Sequence, residues 1–213
     1  MKVVSLNVGL PREVSWNGKT VPTGIFKEAV AGRLRLERLN FQGDRQADLS
    51  VHGGVAKAVY AYPSEHYPFW GETLGGAELA WGAFGENLTT EGLTEDAVCI
   101  GDRFRVGTAE LVVSQPRVPC FKLGLRFNRP DMVKRFEHSG RSGFYLAVVA
   151  EGEVGAGDRI ERVSSEPMSL SVAEVLQAYR GQDASLVARA SQIAGLPVEW
   201  RRHLCDRLQK LRP

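Results

Sequence analysis

Short apolar segments separated by glycines fill the first 163 residues, and this pattern limits the folds open to the chain. The segment VVSLNV (3–8) alternates apolar and polar residues, as a strand with one buried face does. RFRVGTAELVVS (103–114) predicts a hairpin that turns at Gly107, and GFYLAVVA (143–150) predicts a core strand. Many short strands joined by tight turns are typical of a barrel or a sandwich. We therefore predict a mainly β domain over residues 1–163.

Two helices are expected to interrupt these strands, and three more to follow them. Residues 63–74 and 129–140 each carry proline near the start, and the second segment ends on glycine. Beyond residue 164, apolar side chains recur every three or four positions in three successive segments. The pattern predicts an all-α module of three helices over residues 164–213, in which Asp183 caps the middle helix.

Charge argues against nucleic acids as partners, and hydropathy argues against a membrane span. Lys+Arg 27 and Asp+Glu 25 leave a formal net charge of +2, so no general basic field would attract a polyanion. Arg201 and Arg202 make the last predicted helix basic, and a nucleic-acid-binding regulator is one hypothesis for it. A solvated helix face is the favoured explanation of these charges. No apolar run approaches the roughly 20 residues of a membrane span, and we expect a cytoplasmic protein.

The three cysteines of the chain are widely spaced and form no CxxC pair. This arrangement argues against a disulfide framework and against a four-cysteine zinc or iron–sulfur site. Cys99 lies in a predicted strand and Cys205 on the apolar side of a predicted helix. Because free cysteines are usually small buried hydrophobes, we expect both in the core.

Cys120 has a different setting, within the segment SQPRVPCFKLG (114–124). Two prolines restrict the backbone before it and would direct its thiol. Arg117 and Lys122 are positive charges that would lower the thiol pKa and favour the thiolate. Thiolates bind soft metals and attack electrophiles. The residues themselves leave three roles open for Cys120: a buried core residue, a nucleophile and a metal ligand.

A glycine-rich turn in LNFQGDRQADLSVHGGVAKAVYAY (39–62) is a candidate phosphate cradle. The turn at Gly53-Gly54 would offer backbone N–H groups beside His52 and Lys57. The spacing matches neither the P-loop nor the dinucleotide-binding pattern. A histidine satisfied by hydrogen bonds within a turn explains His52 equally well.

Asn87 is the candidate in a third segment, AFGENLTTEGL (83–93). Its amide would either point at a ligand or bond the local backbone, which is the ordinary use of asparagine near a turn.

Together these segments resemble the MOSC domain, a family named for the C-terminal part of molybdenum cofactor sulfurase. The resemblance rests on residues 43–62, 83–93 and 100–123, which occur in the family's order and at similar spacing. It covers most of residues 1–163, and the trailing helical module is similar to that of the bacterial YiiM proteins, which protect against 6-N-hydroxylaminopurine. The resemblance implies a closed β-barrel of mixed strands with flanking helices.

The same resemblance implies a molybdenum–molybdopterin cofactor whose metal is held by the cysteine matching Cys120. His52, Asn87 and Arg117 fall in the segments that face this cofactor in the family. The remaining cofactor-binding candidates are basic residues and turn residues suited to its phosphate: Arg45, Gly53, Gly54, Lys57 and Lys122.

In function, the resemblance implies reduction of small N-hydroxylated compounds, such as 6-N-hydroxylaminopurine, to the amine. No second redox centre is visible in the sequence, so electrons are expected from a separate reductase, for which a flavoprotein is one candidate. The alternative is a molybdenum-cofactor carrier or a sulfur-transfer module that uses Cys120 as a persulfide. The sequence leaves the oligomeric state open, with a homodimer as one option.

Overall fold

The computed structural model describes residues 1–48, 53–166 and 168–211. Its strands are numbered in chain order: β1 Lys2–Val8, β2 Arg12–Trp16, β3 Lys19–Thr23, β4 Glu28–Ala29, β5 Arg33–Leu36, β6 Val59–Pro63, β7 Leu88–Glu91, β8 Arg103–Val106, β9 Ala109–Pro116, β10 Phe144–Ala150, β11 Gly152–Gly155 and β12 Ile160–Ser164. Eight of them form one sheet in the order β12-β8-β9-β10-β6-β7-β1-β4. The other described strands form two antiparallel pairs, β2 with β3 and β5 with β11.

The large sheet is mixed and the protein is mainly β, as predicted. β6 and β7 run parallel, whereas the other pairs within this sheet are antiparallel. The predicted hairpin over 103–114 is confirmed, since β8 and β9 pair across the turn at Gly107. β8 alternates exposed and buried residues, which places Phe104 and Val106 in the core.

The prediction of a closed barrel is wrong, because the sheet curls but stays open. Its two edge strands, β12 and β4, do not pair with each other. The curl brings the turn before β12 against β1, where the Val3 N–H donates to the Asp158 carbonyl at 2.9 Å and the Gly157 N–H donates to the Val3 carbonyl at 2.8 Å. An isolated bridge between Lys2 and Arg159 extends this contact, and the Ile160 N–H donates to the Met1 carbonyl at 2.9 Å, but β12 and β1 form no continuous ladder.

Six α-helices accompany the sheets within the described ranges. They are α1 Tyr67–Thr73, α2 Phe121–Phe127, α3 Met132–Ser139, α4 Val172–Arg180, α5 Ala184–Ser191 and α6 Val198–Leu211. The helices predicted over 63–74 and 129–140 are present as α1, preceded by a 3-10 turn, and α3. No helix was predicted where α2 follows Cys120.

The three C-terminal helices are present as predicted. The Asp183 carboxylate accepts from the backbone N–H groups of Ser185 and Leu186, which confirms the predicted cap of α5. The core is continuous across residue 163, since buried side chains of α4 such as Val172 and Val175 belong to the same cluster as Ile100 of the sheet domain. The division into a domain of 1–163 and a module of 164–213 stays a prediction.

A second core cluster, formed mainly by aromatic side chains, lies between α1, α3 and the sheet. The rings of Trp70 and Phe136 stack with centroids 5.6 Å apart, and Phe84 packs against both. Such rings bury large areas and hold their neighbours in fixed orientations. None of the helices in the described residues is long and apolar enough to cross a membrane.

Candidate functional site

Cys120 occupies a short connection between a strand and a helix. β9 ends at Pro116 and α2 begins at Phe121, so only four residues link them. The Arg117 N–H donates to the Gly143 carbonyl at 3.2 Å, which attaches the connection to the strand beside it. Cys120 itself has an extended backbone, and its side chain is half-buried. The thiol is therefore held at the rim of the sheet, not sealed within the core.

The other two cysteines differ from the sequence expectation. Cys99 lies in an isolated bridge to Ser171 and not in a strand, and it is half-buried. Cys205 is exposed, so the prediction that it packs in the core is wrong. In the part of the chain that the structure describes, no group of three or more His, Cys, Asp or Glu side chains could hold a metal ion.

A cleft with a cationic lining opens beside Cys120. Its basic lining residues are Lys27, Arg45, Lys57, Arg117 and Lys122. No aspartate or glutamate is among the described residues that line it. The cleft encloses about 700 Å³ of space free of protein atoms, part of it open to solvent. A concave surface with this charge concentrates anions.

The structure brings most of the predicted site residues together in this cationic cleft. The predicted residues that line it are Arg45, Gly53, Lys57, Asn87, Arg117, Cys120 and Lys122. Gly54 is not among the lining residues; it precedes the 3-10 turn Val55–Lys57 with a φ of 81°, a backbone conformation that favours glycine. His52 lies outside the described residues.

Arg117 is the buried cation of the cleft, with only 5% of its surface exposed. Its guanidinium donates to the Tyr60 hydroxyl at 3.3 Å and lies over the rings of Tyr60 and Phe136. Burial lowers the pKa of Arg117, but two neighbouring tyrosines and the Cys120 thiol together raise it above its ordinary value. None of the carboxylates that the structure describes forms an ion pair with it. A buried cation without an anionic partner is costly, and it is suited to meet a bound anion.

Both the oxygen and the nitrogen of the Asn87 side-chain amide form hydrogen bonds within the protein. Its oxygen accepts from the Tyr60 N–H at 3.1 Å, and its nitrogen donates to the Asp44 carboxylate at 2.9 Å and to the Asn7 carbonyl at 3.3 Å. The bonding is to backbone and side chains of distant segments, not to the local turn. Asn87 therefore holds the cleft wall in place, and its role towards a cofactor stays a prediction.

Lys27 is a cleft residue that the sequence reasoning missed. Its ammonium donates to the Asp44 carboxylate, and both side chains are at least nine-tenths buried. Burial is the largest influence on Lys27 and lowers its pKa, against the opposing effect of Asp44. Asp44 was noticed in the Gly43-to-Gly53 segment, but nothing in the sequence pairs it with a lysine 17 residues earlier.

Glu86 is a second residue that was missed, and it shapes the loop that carries Asn87. Its carboxylate accepts from the N–H groups of Gly82 and Phe84 at 2.9 and 3.1 Å and from the Tyr67 hydroxyl. Burial raises the pKa of Glu86, although these hydrogen bonds act in the opposite direction. The carboxylate thus points away from the cleft, and the loop presents Phe84, Gly85 and Asn87 to it.

A second cavity adjoins the first and also touches Cys120. The two share Lys57, Val118, Cys120 and Tyr145, and the far wall of the second is formed by Tyr179 of α4 with Glu199, Trp200 and His203 of α6. It encloses about 930 Å³ by the same measure. We refer to it as the interdomain cavity. Sequence reasoning placed no site residue on the C-terminal helices, although three ring-bearing side chains and a glutamate converge there.

Comparison with known proteins identifies the family to which this arrangement belongs. A family model described as "MOSC domain" matches residues 48–161, more than half of the 213 residues. The chain belongs to the MOSC domain family. The matched residues of this MOSC chain include Cys120, the cationic cleft segments from Gly53 to Lys122, and most of the large sheet. The resemblance noted in the sequence is therefore confirmed.

Two of the proteins similar to this MOSC chain match nearly its whole length, and a third matches part of it. "Uncharacterized protein YflK" of Bacillus subtilis is 43% identical over 99% of this chain and 96% of its own. The crystal structure of YiiM from Geobacillus stearothermophilus has a TM-score of 0.81 at 36% identity and covers 97% of this chain and 98% of its own. A protein named "Reductase" from Gibberella moniliformis is 36% identical over 79% of this chain, which spans 30% of that protein. The chain is thus a YiiM-like MOSC protein, with the helical module included in the structural match.

Proposed function

We propose that the chain binds a molybdenum cofactor in the cationic cleft and reduces N-hydroxylated compounds to amines. The observation that carries this proposal is the cleft itself: five basic side chains, no described acidic lining residue, and one thiol at its wall. MOSC domains generally bind the molybdenum cofactor. The name of the reductase relative agrees with an oxidoreductase activity.

The residues of the cleft fit such a cofactor chemically. A pterin phosphate and dithiolene sulfurs are anionic, and Arg45, Lys57 and Lys122 line the cleft with positive charge. The buried guanidinium of Arg117 has no described carboxylate partner and is available to an anion. A single thiolate, that of Cys120, suits a soft metal whose other ligands come from the cofactor. A zinc site would need three or four protein ligands.

The proposed reaction is R–NH–OH + 2 e⁻ + 2 H⁺ → R–NH2 + H2O. The N–O bond breaks, the nitrogen is reduced, and the oxygen leaves as water. The cofactor, when bound, supplies the two-electron redox chemistry. The chain's own residues would bind and orient: Cys120 would hold the metal, and the basic residues would neutralise the phosphate. Electrons would arrive from a separate reductase of the flavoprotein class.

Metal analysis of a cysteine pair tests the proposal. The protein is purified from a host that makes the cofactor, and molybdenum and pterin per chain are measured for wild type, Cys120→Ser and Cys205→Ser. We expect near-stoichiometric molybdenum in the wild type and loss of most of it in Cys120→Ser. Cys205 is exposed and lines neither cavity, so Cys205→Ser should keep the wild-type content.

A reductase assay completes this test. The wild type, supplied with a chemical or flavoprotein electron donor, should convert 6-N-hydroxylaminopurine to adenine in proportion to its molybdenum content. Full activity without molybdenum would contradict the proposal. Cyanide-labile sulfur on Cys120 in a protein without reductase activity would instead support the sulfur-transfer alternative.

A further inference from the structure

We propose that the interdomain cavity is the substrate site, in which the C-terminal helices select flat, neutral or cationic N-hydroxylated aromatic compounds. The inference rests on the proposed function, because it names the substrate site for the same reaction. It assigns Tyr179, Glu199 and His203 as specificity-determining residues. It also gives the helical module a role that the sequence did not supply.

Three packed rings form the helical wall of this cavity. The rings of Tyr179 and His203 stack with centroids 4.2 Å apart and an interplanar angle of 21°. The Trp200 ring contacts the Tyr179 ring with centroids 4.7 Å apart and is 7% exposed, so Tyr179 is held by rings of α6. A wall of fixed rings is suited to flat heterocycles, which pack against aromatic side chains by ring faces or edges.

Charge distinguishes this cavity from the cationic cleft. Glu199 is the only carboxylate among the described residues that line the interdomain cavity, whereas the cleft has none. Glu199 and His203 are four residues apart on α6 and therefore share a helix face. A carboxylate accepts from the N–H and O–H groups of an N-hydroxyamidine or a hydroxylaminopurine. It repels the phosphate of an anionic cofactor. Because Lys57 lines both cavities, the interdomain cavity combines one ammonium with one carboxylate, whereas the cleft has five basic residues. The interdomain cavity is thus less suited to an anion than the cleft.

The shared wall orients such a ligand towards the reaction. Cys120 lines both cavities, so a metal held by its thiol would lie at their boundary. A compound in the interdomain cavity lies between the helical wall and the sheet side, where Cys120, Lys57 and Tyr145 lie. The N–O group belongs on the sheet side, and the rest of the compound belongs against α4 and α6. Positioning of this kind would place the breaking bond beside the proposed metal ligand.

Steady-state kinetics with a charge-matched substrate pair tests the assignment. The substrates are N-hydroxybenzamidine and its 4-carboxylate, and the variants are Glu199→Gln, Tyr179→Leu and, as a control, Glu13→Gln. Glu13 is an exposed residue of β2 that lines neither cavity. We expect the wild type to prefer the neutral substrate. Glu199→Gln should reduce that preference about tenfold, which corresponds to about 1.4 kcal/mol. Tyr179→Leu should raise KM for both substrates about tenfold, and Glu13→Gln should change neither value.

Two further readouts separate this inference from the proposed function. Molybdenum and pterin per chain should be unchanged in Glu199→Gln and Tyr179→Leu, and their loss would show that the interdomain cavity holds the cofactor, which overturns the inference. Calorimetric titration of 6-N-hydroxylaminopurine into cofactor-free protein needs no redox activity. Weaker binding to Glu199→Gln and Tyr179→Leu than to Glu13→Gln supports the substrate site even if the reductase assay fails. Equal binding by all variants overturns it.

Discussion

At the scale of single residues, the cleft depends on a buried carboxylate that never reaches its surface. Asp44 accepts from the Lys27 ammonium, from the Asn87 amide at 2.9 Å and from the Gly9 N–H at 3.0 Å. These donors come from three separate segments of the chain. The carboxylate therefore joins the parts of the cleft wall and neutralises Lys27, one of the cations that line it.

Replacing this carboxylate by an amide should be severely destabilising. Asp44→Asn leaves the Lys27 ammonium buried without a counter-charge, and breaking a buried pair in this way costs about 3–5 kcal/mol. Urea unfolding at pH 7 measures the loss. Asp131→Asn is the matched control, because Asp131 also contacts two basic residues, Arg129 and Arg135, but at the solvent-exposed surface.

The Asp131→Asn control should lose much less free energy of unfolding, since exposed ion pairs are screened by water and salt. Similar losses in the two variants would show that the Lys27–Asp44 pair is not buried in solution. Arg129 and Arg135 lower the pKa of Asp131 to about 2, so the control carboxylate is ionised throughout the neutral range.

The role of a residue could be predicted from the sequence where a short local motif indicates its chemistry. Cys120 and Arg117 lie three positions apart, and both line the cationic cleft, as the proline-bounded segment suggested. Lys27 could not be anticipated, because its position depends on a fold contact with Asp44. The exposed Cys205 was misjudged because a helix of 14 residues with many charges leaves more than one face in water.

At the scale of elements, α4 is the helix that joins the C-terminal module to the sheet. Ser171 forms a capping box at its start: the serine hydroxyl accepts from the Glu174 N–H at 3.1 Å, and the Glu174 carboxylate accepts from the Ser171 N–H at 2.8 Å. The next residue, Val172, donates its N–H to the Val98 carbonyl at 2.9 Å. The cap therefore sets the start of α4 where the helix meets the sheet domain.

Removing the capping hydroxyl should cost about 1 kcal/mol of stability. Ser171→Ala leaves the Glu174 N–H without its acceptor, and urea unfolding would register a lower midpoint at an unchanged m value. Ser185→Ala is a suitable control, because Ser185 lies at the start of α5, where the cap is the side chain of Asp183. If Ser185→Ala loses as much stability as Ser171→Ala, the loss reflects helix propensity and not the missing cap.

The helices and strands that could be predicted from the sequence have a regular spacing of apolar residues and recognisable turn or capping residues at their ends. The β8–β9 hairpin and α3 have both features. α2 was missed because FKLGLRF places Gly124 in the middle of a seven-residue helix, where glycine is unfavourable. The structure explains this glycine: a Cβ there would lie 2.9 Å from the Arg129 carbonyl, so the close return of the chain excludes a side chain.

At the scale of the whole molecule, one apolar core is shared by the sheet and the C-terminal helices. Leu170, Val172 and Val175 are almost completely buried, in the same cluster as Val98 and Ile100. Burial of each such side chain contributes about 1.5–3 kcal/mol. Whether the sheet closes could not be decided from the sequence, and the predicted closed barrel was wrong, since alternation of apolar residues reveals a strand's faces but not which edges meet.

Truncation tests whether the predicted boundary at residue 163 separates independent units. A chain of residues 1–163 should expose the sheet side of this core, bind the dye ANS strongly and be cleaved rapidly by protease. Its urea midpoint should lie below that of the full chain. A truncated chain that unfolds cooperatively at the full-length midpoint would establish residues 1–163 as a self-sufficient domain.

The position of Cys120 between two cavities has a consequence for protein engineering. Replacements at the shared residues Lys57, Val118 or Tyr145 would alter both spaces at once. Replacements at Tyr179, Glu199 or His203 would reshape one space and leave the other as it is. A library confined to the helical wall would therefore vary the proposed substrate space, while the cationic cleft and the proposed metal ligand Cys120 are kept.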